Sequence, residues 1–111
     1  MSIYRGTYWS QTFTLTDADG VAIDITGYEF EADLRDAVAD ADSLLNLTTA
    51  NGGFAVTTAA SGIFIMTVTA AQSLLLPLKR LVFDVHRTDA DPGPRWLFRA
   101  KVLVRESATR D

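Results

Sequence analysis

Apolar and polar residues alternate along much of this chain with a period of two. Tyr28, Phe30, Ala32 and Leu34 interleave with Glu29, Glu31, Asp33 and Arg35. Trp96, Phe98, Ala100, Val102 and Val104 interleave with Arg99, Lys101 and Arg105, with Leu103 out of step on the polar side. Successive side chains of a strand point to opposite faces, so this pattern predicts two long strands, each with one buried and one wet face. Phe13 and Leu15, alternating with threonines, predict another. Further β segments are predicted at Val21 to Ile25, Leu44 to Thr48, Phe54 to Thr57, Gly62 to Thr69 and Leu78 to Thr88.

Turn chemistry separates these runs. "DADG", "TGY", "NGG", "ASG" and "DADPGP" all carry residues that reverse a chain or tolerate positive φ. Many short strands with regular turns predict an all-β, Ig-like antiparallel β-sandwich, one domain over residues 1–111, with Trp96 in its core. One segment departs from the period. "TAAQSLLLPL", Thr69 to Leu78, opens on a capping threonine and stops near Pro77, which predicts about two turns of helix plugging one end of the sandwich. The final "SATRD" reads as a frayed tail.

Composition narrows the function classes. With 48% hydrophobic and 22% charged residues in 111 positions, the chain has the balance of a folded domain and can bury a core without staples. It contains no cysteine, which removes disulfides, thiolate metal sites and cysteine nucleophiles. There is no secretory leader pattern and no apolar run long enough for a membrane helix, so a soluble protein made in a cytoplasm is expected. A formal charge of −4 argues against nucleic acid as partner. The charge is uneven. Residues 1–78 hold two basic against nine acidic residues (−7) and residues 79–111 eight against five (+3).

Candidate chemistry is sparse. The two aspartate loops, Asp17 to Gly20 and Asp89 to Pro94, resemble calcium loops only at their start: after Gly20 come Val21, Ala22 and Ile23, and the oxygen ligands that calcium needs are missing. They read as turns. His86, the sole histidine, lies two residues from Asp84 on one strand face, yet no serine or threonine nucleophile and no Gly-x-Ser-x-Gly elbow accompanies it. Glu29, Glu31 and Asp33 are spaced as solvated strand carboxylates and not as an acid and base pair. No catalytic residue, metal ligand, cofactor or small-molecule substrate is assigned.

A family pattern spans nearly the whole chain. The stretch "YRGTYWSQTFTLTDADGVAIDITGYEFEADLRD", followed by "SGIFIMTVTAAQSLLLPLKRLVFDVHRTDADPGPRWLFRAKVLVRESATRD", resembles the small β-sandwich domain of tailed-bacteriophage virion proteins. The N-terminal domain of baseplate upper proteins is its best-known example. The elements that carry the resemblance, in order, are "YRG", "TFTLTDADG", "IDITGY", Arg35, "SGIFIMTVTAAQS", "LVFDV" and the closing "ATR". The resemblance implies a non-enzymatic structural role in a virion made in the host cytoplasm, with other virion proteins and copies of itself as partners. Such domains often open a longer fibre or receptor-binding protein; a freestanding copy implies a tail, baseplate or fibre adaptor, or a capsid decoration (cement) protein. A carbohydrate-binding sandwich for host surface glycan is the alternative, with Tyr8, Trp9 and Trp96 as its aromatic platform.

Nine residues form the candidate interface. Tyr4, Tyr8 and Trp9 place much apolar area in a terminal segment, which either packs on the domain itself or docks on a neighbour. Glu29, Glu31 and Asp33 on one strand, and Arg99, Lys101 and Arg105 on another, either pair within one sheet or mark acidic and basic faces on opposite sides.

Overall fold

The computed structural model describes residues 1–36, 43–89 and 93–106. Along the chain run β1 (Ser2–Tyr4), β2 (Trp9–Thr14), β3 (Phe30–Arg35), β4 (Leu45–Thr48), β5 (Phe54–Thr58) and β6 (Ile63–Val68). A one-turn helix α1 (Ala70–Ser73), β7 (Arg80–Arg87) and β8 (Arg95–Arg105) complete it. Five strands in the order β1-β8-β7-β3-β4 face three in the order β2-β6-β5. This is the all-β sandwich that the alternation predicts, with every neighbouring pair antiparallel except β1 and β8, which run parallel.

The strand β3 shows why the pattern works. Phe30, Ala32 and Leu34 are buried while Glu31, Asp33 and Arg35 are half-exposed, so one face enters the core at each second residue. The core joins the two sheets through stacked rings. Phe30 of the larger sheet lies 4.4 Å from Phe64 of the smaller one, centroid to centroid and nearly parallel, and Phe13 lies 5.0 Å from Phe98. Offset aromatic pairs of this kind add about 0.5–1.5 kcal/mol beyond their area burial. Ile3, Leu34, Leu47, Met66, Leu76, Leu81 and Val85 fill the rest.

Four local expectations change. The region Val21 to Ile25 is not a strand: beyond the isolated Thr16–Ala22 bridge, single backbone bonds from Ile23 N–H to Leu15 O and from Ile25 N–H to Ala59 O tie it down. Side chains hold it in turns instead. Asp17 Oδ1 accepts the N–H groups of Asp19 and Val21, and Asp24 Oδ1 accepts both the N–H and the hydroxyl of Thr26. The helix is one turn and not two. Thr69 caps it with a reciprocal bond to Gln72, but Leu76 must enter the core at 1% exposure, which pulls the chain off the helical path before Pro77.

The third change concerns Trp96, which is 57% exposed and not a core residue. A register shift between Val85 and His86 places Val85 opposite Phe98 but His86 opposite Trp96. The extra residue, Leu97, turns inward beside Phe98, and Trp96 is carried to the outer face. The fourth is β1, a strand too short to carry a readable period. Its Ile3 is fully buried, and its pairing to β8 half-covers Leu103, the residue that stood out of step.

Candidate functional site

The charged candidates come together on one face. Register aligns Asn46, Asp33, Asp84 and Arg99 in a row across β4, β3, β7 and β8, and Thr48, Glu31, His86 and Trp96 in the next. Residues opposite one another in antiparallel strands share a face. Glu31 and Asp33 therefore sit on the same outer surface as Arg99 and Lys101, with β7 between them, and Arg105 ends the same side of β8. The reading of acidic and basic faces on opposite sides of the molecule is thereby excluded.

Most of this chemistry is engaged within the sheet. Arg99 Nε donates to Asp84 Oδ1 at 2.7 Å, and that bond, reinforced by the Trp96 indole and against partial burial, holds the Asp84 carboxyl below its ordinary value. Burial alone would raise Asp33, but hydrogen bonds from Asn46 and Ser43 and the Arg35 guanidinium outweigh it and lower that group too. Asn46 Nδ2 also donates to Glu31 at 2.9 Å. A shallow depression of about 80 Å³ lies among Glu31, Asp33, Arg35, Asp84 and His86. The Asp84 carboxylate accepts from Arg99 and the Trp96 indole, with the nearby His86 a smaller influence on it. Glu29 stands outside this row, exposed just before β3, with its N–H donating to Asp89.

The aspartate loops divide. In the first, the Asp17 carboxylate is occupied by backbone donors and Gly20 takes φ +81°, the geometry of a tight turn. In the second, residues 90–92 lie outside the described residues, as does the closing "ATR"; within reach, Asp89 forms a two-point pair with Arg87, which also stands 3.6 Å over the Tyr28 ring. Among the described residues no group of three or more acids and histidine is placed to hold a metal ion.

The aromatic N-terminal candidates separate by burial. Trp9 is 9% exposed and belongs to the core, so it leaves the candidate interface: as the first residue of β2 it faces inward opposite Val68. Tyr4 and Tyr8 are 43% and 65% exposed. Tyr8, Trp9 and Trp96 consequently form no shared platform. Tyr4 and Tyr8 instead have neighbours that the alternation did not single out. Arg5 N donates to Arg105 O, Arg5 Nη2 to Leu74 O, Gly6 N to Ser73 Oγ, and Val104 N to Lys79 O. These bonds stitch the β1–β2 turn, the segment after α1 and the end of β8 into one corner. Leu74, Leu75 and Leu78 are exposed there, Leu75 at 68%. The signal was "SLLLPL", an apolar run longer than one helical turn can bury.

The same corner is basic. Among the described residues Arg80, Lys101 and Arg105 make no ion pair, while Lys79 holds Asp36 at 2.7 Å. Exposed apolar side chains there lie beside cationic ones. No known protein family and no curated protein matches this chain.

Proposed function

We propose that this chain is a non-enzymatic structural protein of a tailed-phage particle, working by attachment to other virion proteins. The observation that carries attachment is the corner where Tyr4, Tyr8, Leu74, Leu75 and Leu78 are exposed near one another, apolar area that a partner could cover. Support for the particle comes from the ordered resemblance running from "YRG" through "SGIFIMTVTAAQS" to "LVFDV". Tail or baseplate adaptor and capsid decoration are two placements of the same surface chemistry. The test is mass spectrometry of gradient-purified particles. A fixed copy number per particle is expected, and a chain left wholly in the unassembled fraction overturns the proposal.

A second reading rests on Trp96. Its exposed ring beside the depression of Glu31, Asp33, Arg35 and His86 offers a sugar one stacking surface and several hydrogen-bonding edges. Glycan-array binding abolished by Trp96→Ala would favour it. An array without signal leaves the structural reading alone.

A further inference from the structure

The turn that closes Asp17 to Gly20 has the shape and charge of a plug. Asp17 Oδ1 pins the N–H groups of Asp19 and Val21 at 2.9 and 3.0 Å, and Asp17 N donates to Val21 O at 2.9 Å. The tip is thus pre-ordered, which reduces the entropy lost on docking. It presents Val21, 60% exposed, between the exposed carboxylates of Asp17, Asp19 and Asp24. No basic residue falls between Arg5 and Arg35. The corner presents the inverse: Leu74, Leu75, Leu78 and Tyr8 flanked by Arg80 and Arg105, which make no ion pair among the described residues.

We infer that the corner of one copy receives the aspartate turn of another, head to tail. The occupant is argued from charge. Corner against corner would oppose Arg80 and Arg105 to the same residues of the partner, and like charges brought together disfavour that arrangement. Turn against corner satisfies both signs and covers Val21 and the leucines at once. Tip and corner are different surfaces, so the contact is heterologous: it leaves a free turn at one end and a free corner at the other, and it builds rings or open strings and not a closed pair. The inference goes beyond the virion reading, since self-association in dilute solution succeeds or fails whatever particle holds the chain.

Two variants isolate the geometry. Leu75→Glu with Leu78→Glu destroys the corner and keeps the turn; Asp19→Lys with Val21→Lys destroys the turn and keeps the corner. All four side chains are exposed, and circular dichroism with thermal melting verifies that each variant folds. Should the leucine variant unfold, Arg80→Glu with Arg105→Glu replaces it. Sedimentation velocity of the wild-type chain is expected to show concentration-dependent species beyond a dimer. Loss of two exposed ion pairs at the upper end of their usual range corresponds to about thirtyfold weaker association in high salt. Each variant alone is expected to stay monomeric. Their equimolar mixture is expected to form a 1:1 dimer and stop, because one intact corner meets one intact turn. A wild-type chain that remains monomeric, a variant that associates as the parent does, or a mixture that stays monomeric overturns the inference.

Discussion

Gly62 gives the fold its sharpest single test. It follows the 3-10 turn Ala59–Ser61 with φ +70°, and its carbonyl accepts the Leu15 N–H at 2.9 Å. A Cβ placed there would sit 2.6 Å from Leu15 O and 2.7 Å from Ile23 O, both backbone atoms. Gly62→Ala therefore carries two penalties. The left-handed conformation costs about 1–2 kcal/mol for any residue with a Cβ. Relieving the contacts moves Leu15 and Ile23, which are bonded to each other at 3.0 Å, and disturbs at least two backbone hydrogen bonds worth about 1 kcal/mol each. The sum is about 3–4 kcal/mol, a large part of a typical domain's stability. Gly20→Ala supplies the control, because Gly20 has φ +81° and nothing within 4 Å of its Cβ position. It measures the conformational penalty alone. Urea titration reads both, and Gly62→Ala is expected to lower the midpoint by more than about 1 M with the slope retained. Equal losses in the two variants, within about 0.5 kcal/mol, would refute the packing of the 15–25 segment on this turn.

Phe64→Ala is expected to lose about 3–5 kcal/mol, since the fully buried ring stacks on Phe30, while Trp96→Ala should stay within about 1 kcal/mol of the parent in the same titration. The reverse ranking would return Trp96 to the core. Removing residues 1–9 takes away the buried Ile3 and Trp9 and is expected to unfold the chain, so a native far-UV spectrum from the truncated protein contradicts the placement of β1 and β2. Asp33, Asp84 and Asp89 are all held below the ordinary carboxylate value, Asp89 mainly by its hydrogen bond from Arg87. The folded chain then binds fewer protons than the unfolded one in acid. Their contribution is present above pH about 4 and is lost as the pH falls through the lowered values. Thermal melts across that range should show a falling midpoint on acidification, and a rising one opposes the pairing seen on the outer face.

Strand alternation was legible because one face of each strand is dry. Phe30, Ala32 and Leu34 against Glu31, Asp33 and Arg35 state their burial directly. Register and sheet order were not legible in that way. Whether Asp33 meets Arg99 depends on β7 lying between their strands, and no local pattern encodes a neighbour some fifty residues distant. Trp96 failed for a related reason: a bulge shifts the face of every residue before it, and nothing in "PRWLFRA" announces one. Thr69 marked the helix start correctly through its cap, whereas the helix end was set by the core's demand for Leu76. The candidate site was half visible. Tyr4 and Tyr8 stood out as apolar residues near a terminus, but Leu74, Leu75 and Leu78 were absorbed into an expected second helical turn, and only tertiary contacts bring the two segments together.

The claim that the chain acts by surface attachment is tested most directly on the particle itself. The folded Leu75→Glu, Leu78→Glu chain would be produced alongside assembling particles in place of the parent, and its copy number counted by quantitative mass spectrometry after gradient purification. The apolar corner as attachment surface predicts a chain with the parent's melting curve that is largely missing from the banded particles. Incorporation at the parent's copy number would contradict it.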